Sequence, residues 1–213
     1  MSAVITVGLL DKGVEAALVG RIAGSRCFVD GPPAPDHHGH GTAIARIILH
    51  HAPRARLLVA DLFGAHDRAT PEAVAAGLDW LREERTRIVN LSFGLRDDRA
   101  VLRVAVEAAL AAGLDLLAAT PARGARVFPA SYPGVMRVTG DARCATGEIS
   151  ALGGRPADFG ACPRGMDGEA GGASFAVGHV SGLLAARLAD GRVDPQAELA
   201  RLARFHGPER RLA

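Results

Sequence analysis

Aromatic residues are scarce in this chain: seven Phe, one Trp and one Tyr, 4% of 213 residues. Hydrophobic residues still reach 48%, so the core has to be built from Ala, Val, Leu and Ile, a filling that suits helices packed on a sheet. Lysine is nearly missing. Lys12 is the only one, and the other basic residues are Arg. The formal charge is only +2, and no Arg cluster is interleaved with aromatics, which argues against a nucleic-acid partner. Cysteine is limited to Cys27, Cys144 and Cys162, an odd number with no C-x-x-C spacing. That excludes a disulfide framework and fits a reducing compartment. A long uninterrupted apolar run is also missing. The longest apolar stretch, Ala100 to Ala119, carries Arg103, Glu107 and Asp115, so no membrane span is expected. The opening MSAVITVGLLD has no basic region and is cut short by Asp11, unlike a signal peptide. These absences point to a cytoplasmic chain. It reads as a single domain over residues 1–213, with no pro-segment before its first strand.

What is present alternates between two patterns. Ala3 to Leu10 is a short Val/Ile/Leu-rich run of the buried parallel-strand type. Residues 42–51 (TAIARIILHH) have helical apolar spacing, and residues 55–63 (ARLLVADLF) read as a second strand. Thr70-Pro71-Glu72 combines an N-cap residue, a proline for the first helical position and an early acid, predicting a helix to about Glu84. Strands follow at 87–93, 114–119 and 135–140, with a helix over 98–112 closed by Gly113. The Gly-rich stretch 147–172 has room for short strands at 148–152 and 157–162. Residues 175–189 form a strong helix, and the charged tail from Asp194 reads as a terminal helix. Strand and helix in this alternation predict an α/β fold of three layers, a mostly parallel central sheet with helices on both faces.

In such a sheet, functional groups gather at the carboxyl ends of the strands. Three candidates fall there: Asp11 in VGLLDKGV, His40 in DHHGHGTAIA, and Ser174 in GGASFAVGHVSG. Serine is a weak nucleophile until a base contacts it, and the base needs an acid to fix its tautomer. An Asp, a His and a Ser on three adjacent elements supply those parts. Each one alone is more often a turn, cap or loop residue; their joint occurrence in the order Asp, His, Ser is what carries weight. Asp36, His37, His38 and His40 also crowd together, but adjacent loop histidines do not readily face one ion, so no metal and no other cofactor is expected.

These three motifs resemble the aspartate, histidine and serine motifs of the subtilisin-like (S8) serine peptidases. RIVNLSFG, FPASYPGVMRVTG and ADFGACPRG are similar to the segments between them, so the resemblance runs in order over roughly residues 3 to 190. It implies a serine endopeptidase acting on a peptide or protein substrate. Asp11 would orient His40, His40 would take the proton of Ser174, and Ser174 would attack the scissile carbonyl. Ser92, Phe93 and Gly94 would pair with an extended substrate, Ala118, Ala119 and Thr120 would wall the pocket beside the cleaved bond, and His179 would be structural.

The chain departs from the pattern in one place that bears on chemistry. The family carries an Asn side chain as oxyanion donor after its fourth core strand. Aligned on Gly124, that position is Ala122 in LAATPARG. Loss of such a donor costs about 10²–10³ in turnover. The Ser174 backbone N–H would remain, and Arg123 is a candidate substitute. Two readings follow: a specialised processing protease, for instance for a dedicated leader peptide, or a catalytically impaired subtilase-like protein that binds peptides without cutting them.

Overall fold

The computed structural model describes residues 4–30, 36, 39–64, 66, 68–154, 156–191 and 193–208. Strands β1 (Thr6–Asp11), β2 (Ile22–Cys27), β3 (Arg56–Asp61), β4 (Ile88–Leu91), β5 (Asp115–Ala119), β6 (Met136–Gly140), β7 (Ile149–Ala151), β8 (Phe159–Ala161) and β9 (Ala203–His206) form one sheet in the order β2-β3-β1-β4-β5-β6-β8-β7-β9. Every pairing is parallel except that of β7 with β8. Helices α1 (His40–His51), α2 (Pro71–Glu83), α3 (Ala100–Ala111), α4 (Gly172–Ala189) and α5 (Pro195–Leu202) complete the order, with a 3₁₀ turn over Ala16–Arg21. The predicted α/β architecture is the one observed.

The capping signals act as read. The Thr70 hydroxyl accepts the Ala73 N–H at 3.1 Å with Pro71 opening α2. Gly113 takes a φ of +85° just past the end of α3, where a side chain would be strained. The tail differs from its expectation. Asp194 caps α5 by accepting the Ala197 N–H at 2.6 Å, but the helix stops at Leu202 and Ala203–His206 then joins the sheet as β9 beside β7. The exposed edge of β7 offers unpaired backbone groups that a helical tail could not satisfy. β2 and the 3₁₀ turn are likewise absent from the sequence reading.

Strand alternation divides the core in two. Val7 and Leu9 of β1, Leu57 and Val59 of β3 and Ile88 of β4 face α1 and α4. Leu10, Leu58, Ala60, Val89 and Leu91 face α2 and α3. The same parity carries past the strand ends. Asp11 follows Val7 and Leu9, and Ser92 follows Ile88 and Asn90, so both side chains emerge on the α1/α4 face. β1 lies between β3 and β4, where the chain changes its direction of travel across the sheet. The crevice at the carboxyl ends of β1 and β4 is therefore the place for a site.

Candidate active site

Asp11 is the last residue of β1, and its side chain is only 5% exposed. Three groups meet its carboxylate. The Lys12 backbone N–H donates to Oδ1 at 2.8 Å. The Ser92 hydroxyl donates to Oδ2. His40 Nδ1 lies 2.9 Å from both oxygens, which fixes the Nδ1–H tautomer and leaves Nε2 to act as an acceptor. The His40 side chain is 38% exposed, so its far edge opens to the cleft.

His40 reaches this position because it opens α1, and α1 packs against the chain leaving β1. Gly41 makes that approach possible: a Cβ there would sit 2.6 Å from the carbonyl oxygens of both Lys12 and Gly13. The Asp36 carboxylate caps the helix, with Oδ2 accepting the Thr42 N–H at 2.8 Å. Asp36, one of the residues crowded around His40 in the sequence, thus stands at the start of α1 as a cap. His37 and His38 lie outside the described residues. The hydrogen bond from His40 to Asp11 raises the imidazole pKa above its ordinary value, partly offset by burial and helped by the charges of Asp36 and Glu169.

Ser174 lies in the first turn of α4, where unpaired backbone N–H groups and the helix dipole favour negative charge. Its hydroxyl donates to the Ser92 backbone carbonyl at 2.7 Å and is not hydrogen-bonded to His40. Phe175 packs next to the imidazole, ring centroids 6.0 Å apart. The resemblance implies substrate pairing for Ser92; the structure adds a link between two members of the site, its hydroxyl donating to Asp11 and its carbonyl accepting from Ser174. The parity of Ser92 with Asn90 was the available signal.

The remaining predicted residues spread along the cleft. Phe93 is half-buried and Gly94 exposed. Ala118 has no exposed surface and packs among the α2/α3 residues, so it contributes no pocket wall. Ala119 is buried against α1 and α4, while Thr120 lines a cavity of about 300 Å³ with Pro121, Arg126 and Ser131. Ala122 and Arg123 are both exposed, on the bend after β5. His179 is fully buried, with Nε2 2.8 Å from the Arg164 carbonyl and Nδ1 2.8 Å from Nε2 of His51. Among the described residues no cluster of His, Cys, Asp and Glu has the arrangement to hold a metal ion.

Comparison with known proteins bears on this site. The chain is 33% identical over 146 residues to subtilisin BL of Lederbergia lenta, covering 63% of this chain and 54% of that protein. It is 32% identical to an alkaline protease of Shouchella clausii, covering 63% and 38%. The chain thus spans about half, or less, of the length of these relatives. In three dimensions it superposes on the prenylagaramide maturation protease PagA with a TM-score of 0.67 at 23% identity, covering 90% of this chain and 80% of that one. For a mutant of the protease domain of PatA the TM-score is 0.71 at 22% identity, covering 96% and 92%. At these identities the likeness is one of fold. The subtilase family model matches residues 3–192, a span that holds Asp11, His40 and Ser174 together with every strand from β1 to β8, and the chain belongs to the subtilase family.

Proposed function

We propose that this chain is a serine endopeptidase in which Asp11, His40 and Ser174 are the catalytic residues. The carrying observation is the buried carboxylate of Asp11, which holds the imidazole of His40 in one tautomer while the same residue, Ser92, ties Asp11 to Ser174. When the Ser174 hydroxyl turns from the Ser92 carbonyl to His40, Nε2 takes its proton as the oxygen attacks the scissile carbonyl. The imidazolium, stabilised by Asp11, then returns the proton to the leaving amine. Water repeats the sequence to release the acyl-enzyme. An extended substrate pairs along Ser92, Phe93 and Gly94. Its backbone N–H would compete for the Ser92 carbonyl and so release the nucleophile.

The Ser174 backbone N–H serves the oxyanion. Ala122 offers only a methyl group, and Arg123 is the side chain in reach by sequence to replace the missing donor. The likeness of fold to maturation proteases supports processing of a dedicated peptide, such as a leader, as the biological role. Three free cysteines support a cytoplasmic setting, and no helix among the described residues is long and apolar enough to cross a membrane. A fluorophosphonate probe should label the protein, and labelling should vanish in Ser174→Ala and fall sharply in His40→Ala. Equal reactivity of wild type and Ser174→Ala overturns the assignment. Ala122 motivates a second reading, a peptide binder that does not cut; any peptide turnover lost in Ser174→Ala excludes it.

A further inference from the structure

Beyond Ser92 the chain runs away from the nucleophile as Phe93-Gly94-Leu95-Arg96. One side of this segment is closed, because Leu95 and Phe128 exchange both backbone hydrogen bonds, at 2.7 and 2.8 Å. A cavity of about 520 Å³ also adjoins it. Its apolar lining comes from Phe63, Ala69, Phe93 and Leu95, and two arginines, Arg68 and Arg96, complete it. Both arginines are exposed, and neither has an ion-pair or hydrogen-bond partner among the described residues. The acids next to Arg96 in sequence are engaged elsewhere: Asp97 with Arg99 at 3.1 Å, and Asp98 with Arg103 and, at 2.8 Å, the Tyr132 hydroxyl. Lys12 adds a third cation, its Nζ 5.7 Å from the centre of the Phe63 ring.

The other end of the cleft has the opposite sign, since His40 feels the carboxylates of Asp36 and Glu169. A peptide lying along 92–96 therefore passes from an acidic neighbourhood at the base to a basic one at the cavity. At about 3.3 Å per residue, the cavity faces substrate positions two to four residues from the bond cleaved. If the substrate runs antiparallel to 92–94, those positions lie on its N-terminal side. A guanidinium beside apolar surface and an open backbone edge matches a carboxylate on an extended peptide, through charge-assisted hydrogen bonds.

We propose that Arg68 and Arg96 form a subsite for an acidic side chain, so that the preferred substrate carries Glu or Asp two to four residues before the scissile bond. This rests on the protease reading for where the cut falls, but binding does not require cutting. The test uses fluorescent peptide pairs differing only by Glu or Gln at one scanned position. Binding is read by anisotropy on Ser174→Ala and cleavage on the wild type. At the right position the Glu peptide should bind about three- to tenfold more tightly than its Gln partner, and the preference should shrink as salt rises. In Arg68→Glu/Arg96→Glu, checked for folding by circular dichroism, the preference should disappear or invert. Equal binding of every Glu and Gln pair, a preference that survives the double reversal, or no binding of any peptide at about 1 mM overturns the subsite. Selective binding with no cleavage by the wild type leaves the subsite standing and removes the protease reading.

Discussion

Asp11 collects more hydrogen bonds than a turn aspartate needs. A strand-ending carboxylate is normally satisfied by one or two backbone N–H groups, as Asp61 is by those of Phe63 and Gly64, both at 2.9 Å. Asp11 takes one backbone N–H, one hydroxyl and an imidazole. Its effect on His40 can be read from pH dependence. In the proposed mechanism His40 must be neutral to accept a proton, so kcat/KM should rise with pH through the His40 pKa, which stands above the usual imidazole value because of Asp11. Asp11→Asn removes both the charge and the acceptor. The acid limb should move to lower pH, and the plateau should fall by about 10³–10⁴-fold. A pH–rate profile of both proteins checks this; an unmoved limb would show that Asp11 does not act through His40. Asp11, His40 and Ser174 were legible as motif residues. The role of the Ser92 hydroxyl was not, because a serine one place beyond a strand looks the same whether it meets a carboxylate or water.

Among the elements, α1 and α4 carry His40 and Ser174 in their first turns and meet again further along. His51 closes α1, and His179 is buried within α4. The Arg164 carbonyl can only accept, so His179 carries its proton on Nε2 and its bare Nδ1 accepts from Nε2–H of His51. His179 is therefore neutral. Burial pushes His51 down to about 4, helped by His179 and by His50, whose ring lies 5.0 Å away. Burial lowers His179 as well. Arg54 and Asp190 line the cavity beside His51.

A histidine held below its unfolded value binds fewer protons folded than unfolded. Its contribution is complete above the ordinary pKa near 6.5 and is lost as pH falls from there toward about 4. His51→Leu leaves His179 Nδ1 without a donor and should cost about 1–3 kcal/mol at pH 8, yet the decline in stability between pH 6.5 and 4 should become shallower. Urea unfolding across that range measures both effects; an unchanged slope would remove His51 as a source of acid lability. The sequence showed an amphipathic helix ending in two histidines and a helix with one. Their meeting depends on how closely the helices cross, and no local spacing encodes that. β2 and β9 escaped for a different reason. As edge strands they alternate between half-buried and exposed residues and bury none fully, so IAGSRC and ARFH lack the continuous apolar run that betrays a central strand.

At the scale of the whole molecule, one sheet is shared by two cores, the α1/α4 side and the α2/α3 side. Neither layer can keep its buried face without the strands between them, and we propose that the chain folds as one unit. Trp80, the only tryptophan, packs in the α2/α3 core, whereas helices on both sides contribute to far-UV circular dichroism. Urea transitions followed by Trp fluorescence and by far-UV circular dichroism should coincide; separated midpoints would show that the two sides unfold independently.

The sequence by itself determined the parallel α/β sheet, the capped start of α2 and the three residues that could perform acyl transfer. Alternation, capping and motif order are local properties, readable residue by residue. Only the tertiary structure decided that Ser92 joins Asp11 to Ser174, that the Ser174 hydroxyl rests on a carbonyl instead of His40, that the tail becomes a strand, and that Arg68 and Arg96 come to one cavity. Each of these depends on contacts between segments far apart in the chain, whose register is set by packing against the whole sheet.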